Sequence, residues 1–311
     1  MSSPAPANLS APSLPLPATL TMVASACCFG LMAIVVRIAS KSLHPFEIAF
    51  FRSFFGALVA LPLMLRHGPR MLRTDRLGFY AMRCAIGTLS MLAGFWAIAH
   101  LPLAQAISLS YASPLFVTIG AVLFLGETVR LRRWSAVVAG FLGVLVIVRP
   151  GTAGFAAASL VALLSAALSG AVTISIKHLS RSDPADTIVL LTTLLWVPLS
   201  LPAAALVWQW PPAGTWPWLA VAGVLGTAGQ YTWTHALRRA DASVLAPFSY
   251  LQLVVVALLA WIVFGERVDG YTALGAAIVV GASLYIARRE AQLARRARPA
   301  PEASERAEPQ I

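Results

Sequence analysis

Residues 103–127 read LAQAISLSYASPLFVTIGAVLFLGE, and residues 242–266 read ASVLAPFSYLQLVVVALLAWIVFGE. Both runs are long and apolar enough for a helix crossing a bilayer, which takes about 20 residues. Neither alternates in polarity, as the roughly 10-residue strands of a membrane barrel would. Each holds a proline, Pro114 or Pro247, a Ser-Tyr pair, Ser110-Tyr111 or Ser249-Tyr250, and a Gly-Glu ending, Gly126-Glu127 or Gly265-Glu266. A proline inside a helix removes a donor and frees the carbonyl four residues earlier, here that of Ser110 or Ser243. Two interrupted membrane helices with one pattern imply a duplication.

The matches extend outward from these runs. At an offset of 139, Gly87-Thr88 pairs with Gly226-Thr227 and Ala97 with Ala236. Further upstream the offset becomes 140, pairing Ser25 with Ser165, Gly30 with Gly170, Arg37 with Lys177 and Leu61-Pro62 with Leu201-Pro202. Apolar runs predict ten helices, at 18–38, 46–65, 77–99, 103–125, 133–149, 156–176, 187–208, 216–237, 242–264 and 271–287. The first unit spans 18–149 and the second 150–288, with tails at 1–17 and 289–311 that lack sustained apolar content. Five helices is an odd number, so the second unit enters the membrane from the opposite face and the two are inverted. The fold class is an all-α membrane protein of ten transmembrane helices.

Composition agrees. The chain has 311 residues, of which 59% are hydrophobic and 11% charged, against about 25% charged in soluble domains. Its net charge of +11 is not gathered into a nucleic-acid stripe, since the basic residues punctuate apolar runs. With both ends on one side, that side carries seventeen Lys and Arg, and the other carries four: Arg37, Lys41, Arg149 and Arg267. Basic loops stay in the cytoplasm, so both termini are expected there. Residues 1–17 contain no Lys or Arg, so the first apolar run reads as a retained span and not as a signal peptide. Cys27, Cys28 and Cys84 lie in apolar runs and read as buried thiols.

Five plus five helices, with a proline-bearing fourth helix closing on Leu125-Gly126-Glu127 and its echo Phe264-Gly265-Glu266, resemble the EamA-type branch of the drug/metabolite transporter superfamily. The resemblance covers about residues 18–288. It implies a secondary carrier of the bacterial inner membrane with a central cavity between the halves, bounded by helices one, three, four, six, eight and nine. More loosely, the chain is similar to the bacterial exporters of aromatic and neutral amino acids. The small four-helix members of the superfamily exchange protons on a glutamate in their first helix. This chain has Ala24, Ser25, Ala26, Cys27 and Cys28 in that stretch, which points to gradient-driven transport.

Buried polar groups must find partners in lipid. Ser165, Ser169 and Thr173 make a polar stripe on helix six, and Gly223, Thr227, Gln230 and Thr234 make one on helix eight. Ser165, Ser169, Gln230, Tyr111 and Tyr250 are the candidate substrate contacts, although the serine stripe equally suits helix packing. Inversion places Tyr111 nearer the outer mouth and Tyr250 nearer the inner one. Pro114 and Pro247 are candidates for gating. Glu127 and Glu266 follow glycines suited to left-handed helix caps and read as structural, Glu266 pairing with Arg267. Glu47, Arg52 and Arg83 read as residues that reach a membrane surface on long stems. Gly140 and Gly143, with Ala277 and Gly281, suit close helix approach.

The function expected is a secondary transporter exporting small metabolites, aromatic or neutral amino acids first among them, by alternating access through a midplane cavity. The rival is a proton-coupled multidrug or cation exporter. An enzyme would need clustered His, Asp or Glu, and none is visible, so no catalytic residue, cofactor or metal site is expected. The partners expected are a small-molecule substrate and membrane lipid, with no nucleic acid, and the protein is expected as a monomer or weak homodimer.

Overall fold

The computed structural model describes residues 16–67, 74, 76–125, 131–152, 155–179, 183–239, 245 and 248–297. Its helices are α1 (Leu16–Ala39), α2 (Pro45–His67), α3 (Leu77–His100), α4 (Leu103–Ser110), α5 (Ser113–Leu125) and α6 (Leu131–Val148). The second half holds α7 (Ala158–Leu179), α8 (Ala185–Ala205), α9 (Trp216–Arg239), α10 (Leu251–Phe264) and α11 (Gly270–Ala297). No strand occurs among the described residues. Seven of the spans are long and apolar enough by themselves to cross a membrane, with Trp134–Val148 and Leu251–Phe264 as shorter apolar helices. This is a multi-pass membrane protein.

Two departures from the expected spans have local causes. The fourth span is not one helix, since it breaks at Tyr111-Ala112, and Pro114 then falls in the first turn of α5, where its missing N–H removes no bond. The ninth is interrupted at the equivalent place, Tyr250 being a turn before α10. The tenth runs ten residues further than expected, to Ala297, into what reads as a tail. Its extension, RREAQLARRA, is made of strong helix formers. Pro62 and Pro202, paired by the duplication, both sit inside helices, α2 and α8.

Side-chain ties define two ends of the bundle. At one end, Arg37 of α1 joins the C-terminus of α3 to Glu266 after α10. At the other, Tyr80 near the start of α3 donates to Asp183 at 2.6 Å, and His235 of α9 lies 3.5 Å from Asp186 of α8. Between the ends, eight spans pack in a closed ring in the order α2, α9, α1, α10, α4/α5, α7, α3, α8 and back to α2. Each copy contributes four. The remaining pair, α6 and α11, pack on each other outside the ring, behind α4 and α5.

The inversion is visible in single hydrogen bonds. Ser25 Oγ donates to the Gly229 carbonyl at 2.9 Å, and its duplicate Ser165 Oγ donates to the Ser90 carbonyl at 2.8 Å. Gly229 is ten residues before the end of α9 and Ser90 ten before the end of α3, about 15 Å along the axis in each case. Because α3 and α9 run in opposite directions, the two bonds lie equally deep from opposite ends.

Candidate substrate site

The inner wall of the ring is assembled where the copies meet. At the α4/α10 corner, the Tyr111 and Tyr250 rings lie 4.7 Å apart, centroid to centroid. The Tyr111 hydroxyl donates to the Ser249 carbonyl at 3.0 Å. This corrects the expectation that the two tyrosines stand at opposite mouths. Both mark the break in their copy's fourth helix, and the breaks cross near the axis relating the copies. The break leaves the Tyr111 carbonyl outside the helical ladder, since Leu115 N–H turns to Ala112 instead, and Ser283 of α11 donates to it at 3.0 Å. Pro114 is half-buried beside this corner, and Pro247 lies outside the described residues.

The serine stripe of α7 faces α3. Ser90 Oγ lies 2.9 Å from the Ser165 carbonyl, to which it donates, and 2.7 Å from Ser169 Oγ. Gly94 makes room for Ser165, whose hydroxyl would be 3.0 Å from a Cβ there. Ser165 and Ser169 are therefore joined to Ser90 as helix–helix contacts. The α9 stripe divides. Gly223 and Thr227 press on Phe55 and Gly56 of α2, whereas Gln230 stands half-buried, and among the described residues no group bonds its side-chain amide. The duplication pairs Gln230 with Met91, whose sulfur is 3.4 Å from Arg52 Nη1.

Contrary to the expectation from sequence, Arg52 and Arg83 do not reach for a surface. They are only 6% and 2% exposed. The Arg52 guanidinium lies over the Trp196 ring, 4.9 Å from its centroid, and against Gly226, where a Cβ would come within 2.4 Å of Nε. Arg83 donates to Thr192, one turn before Trp196 on α8. Glu47 is fully buried too, because its carboxylate accepts from the Gln209 and His44 amides at 2.7 and 3.3 Å. Cys84 is buried and Cys27 and Cys28 half-buried, all three free.

Glu266 follows Gly265, whose φ of +68° is the left-handed cap expected. Its partner is Arg37 at 3.1 Å and not Arg267. Its second oxygen accepts from the Leu103 N–H at 2.8 Å, capping α4. Arg37 also donates to the Ile98 and Ala99 carbonyls at 2.7 and 2.6 Å. One carboxylate thus gathers the ends of α1, α3, α4 and α10. Glu127 lies outside the described residues. Sequence reasoning missed Ser90, Trp196 and the role of Arg37. Ser90 with Gly94 at i+4 was a small-residue face that marks close packing.

Among the described residues no group of His, Cys, Asp or Glu could hold a metal. A closed ring of eight membrane spans suits passage of a solute, and comparison with known proteins agrees. The model of the EamA-like transporter family matches residues 16–149 and again 156–288. The chain belongs to the EamA-like transporter family. Its members include a riboflavin transporter of Brucella anthropi, 35% identical over 80% of this chain and 90% of that one. An S-adenosylmethionine uptake transporter of Rickettsia felis is 32% identical over 78% of this chain and 83% of its own. A pseudopaline exporter of Pseudomonas aeruginosa is 31% identical over 84% and 92%. A crystal structure 23% identical shares the fold, with a TM-score of 0.62 over 88% of this chain and 98% of the other. This EamA-like chain is a transporter of small metabolites and not an enzyme.

Proposed function

We propose that the protein carries a ring-bearing metabolite, riboflavin being the first to test, through the interior of the eight-helix ring. The relatives that are riboflavin transporters support the substrate class, matching this chain at 34% and 35% identity over most of its length. The geometric observation behind the reading is the Tyr111–Tyr250 pair, two aromatic faces from opposite copies at the crossing of two interrupted helices. Interrupted helices beside a midplane site are where such carriers hold substrate, and aromatic faces stack on planar rings. Gln230, whose amide has no bonded partner among the described residues, is the polar contact. Aromatic amino acids remain the second reading, because the same aromatic corner would accept them.

Transport runs down the substrate gradient, without proton coupling. The acidic residues Glu47, Glu266, Asp183, Asp186 and Asp269 are engaged at helix ends. A cation exporter is disfavoured, since two buried arginines repel a cation entering the ring. The protein sits in the inner membrane as a monomer or weak homodimer with both termini cytoplasmic and exports its substrate. Uptake by proteoliposomes of riboflavin, S-adenosylmethionine, tryptophan and phenylalanine, with and without a pH gradient, tests the reading. Riboflavin should accumulate equally in both conditions. Movement of amino acids alone, or of S-adenosylmethionine alone, would overturn it. A cytoplasmic fluorescent reporter after residue 290 should glow, and alkaline phosphatase there should be inactive.

A further inference from the structure

Four buried groups able to donate, on α2, α3 and α8, have no hydrogen-bond partner among the described residues: Arg52 Nε, Arg83 Nε, Thr88 Oγ1 and Trp196 Nε1. They belong to one corner of the ring. The Arg52 guanidinium covers the face of Trp196, and the indole nitrogen of Trp196 packs on Gly87, where a Cβ would lie 3.2 Å away. Gly87 is one turn from Arg83 and adjoins Thr88, and Thr192, which Arg83 bonds, is one turn from Trp196. Arg52 is seven residues from the start of α2 and Arg83 six from the start of α3, about 10 Å in from opposite ends. No carboxylate lies within 4.0 Å of either arginine among the described residues. The sequence places none in the interior of any span.

A guanidinium at this depth is costly without a counter-charge, and so is each unpaired donor. Arg83 donates to the Thr192 hydroxyl and the Cys84 sulfur and Arg52 to the Met91 sulfur, but the corner holds no anionic acceptor, and its two guanidinium forks are shaped for planar or tetrahedral oxyanions. Resting on the reading that substrate occupies the ring interior, we propose that this corner is an oxyanion subsite, in which Arg52 and the Trp196 indole take a carboxylate or phosphate carried by the substrate, with Arg83 adding a second positive charge deeper in the same seam. The preferred substrates are then anionic members of the ring-bearing class, with the ring toward Tyr111 and Tyr250 and the anionic group toward Arg52. Trp196, beneath the guanidinium, holds the fork when no substrate is bound.

The test uses a matched pair, riboflavin and riboflavin 5′-phosphate, with orthophosphate and acetate alone, titrated into the purified full-length protein and read by binding calorimetry and thermal shift. The phosphate ester should bind about tenfold or more tightly than riboflavin, as a hydrogen-bonded charge does over a neutral group. Arg52→Gln should erase the gap while riboflavin affinity stays within about twofold. Trp196→Phe keeps the ring and removes one donor, so it should narrow the gap two- to twelvefold and serves if Arg52→Gln does not fold. If neither flavin binds but orthophosphate or acetate stabilises the wild type and not Arg52→Gln, the subsite stands and the flavin reading falls. Whichever simple anion stabilises more identifies the group. Equal affinities for the matched pair in the wild type, or no response to any of the four compounds, overturns the proposal.

Discussion

The α2–α9 seam and the α3–α8 seam are one arrangement built twice, and they differ in what fills them. Across α2–α9 the copies use glycine: a Cβ at Gly223 would lie 2.5 Å from Phe55 Cβ and 2.9 Å from the Gly56 nitrogen, and one at Gly56 would lie 2.6 Å from Thr227 Oγ1. Across α3–α8 the duplicated positions hold Cys84 in place of Gly223, Trp196 in place of Gly56 and Arg83 in place of Ala222. Backbones touch in the first seam and are separated by large side chains in the second. A symmetric carrier would have two interchangeable seams. Here the duplication has diverged so that one seam zips and the other is propped open by Trp196 and Arg83.

The largest effect should come from removing the prop. Trp196→Ala empties a large side chain beneath Arg52 and should cost about 3–5 kcal/mol, read as a fall in melting temperature in detergent. A change under about 1 kcal/mol would mean that Trp196 does not hold the seam apart. Next is the glycine contrast. Gly223→Ala meets Cβ and backbone, which cannot give way, and should destabilise by about 1–3 kcal/mol. Gly87→Ala meets side chains alone, the Trp196 indole at 3.2 Å and Val172 at 3.7 Å, and should cost less. Equal effects would show the seams to be equally tight.

The α3–α7 and α1–α9 contacts sharpen the same asymmetry. Ser25→Ala removes one interhelical bond, worth about 0.6 kcal/mol in a membrane. Ser90→Ala removes a bond to the Ser165 carbonyl and the contact with Ser169, so its loss should be about twice as large. The reverse order in a melting series would contradict the pairing described. At the small end of the series, alongside Ser25→Ala, is Glu266→Gln. Its ion pair with Arg37 is partly exposed at 22% on each side, so the change should cost about 0.2–1 kcal/mol. Transport with and without a pH gradient should stay equal in this variant, and selective loss of gradient-driven transport would make Glu266 a proton carrier.

Much of this fold was legible because lipid leaves few options: a span must be helical, apolar and about 20 residues long. Pro114 announced the interruption of the fourth span, and Gly265 announced its own left-handed cap. Pairing was harder to read. Arg37 and Glu266 are 229 residues apart, and nothing local distinguishes Arg37 from Arg267 as the partner. The buried state of Arg52 was hidden for a similar reason, since its shelter comes from Gly226 on another helix in the other copy. The Ser165–Ser169 stripe was seen as polar, but its partner Ser90 was not. A hydroxyl stripe reads alike whether it faces water, solute or another helix.

The α6–α11 pair bears on how the chain is made. A Cβ at Gly275 would lie 2.6 Å from the Gly143 carbonyl, and Arg149 at the end of α6 pairs with Asp269 just before α11 while its guanidinium lies 4.4 Å from the Tyr271 ring centroid. These helices are mates, yet α11 begins about 120 residues after α6 ends, roughly 6–25 s of translation at 5–20 residues per second. Throughout that interval α6 waits with its glycine face against lipid. α1 waits likewise for α9, and α3 for α7. Neither copy is a folding unit, so a ribosome that stops after residue 149 leaves five spans without their partners, and a chain split there would assemble only if both pieces reached the same membrane together.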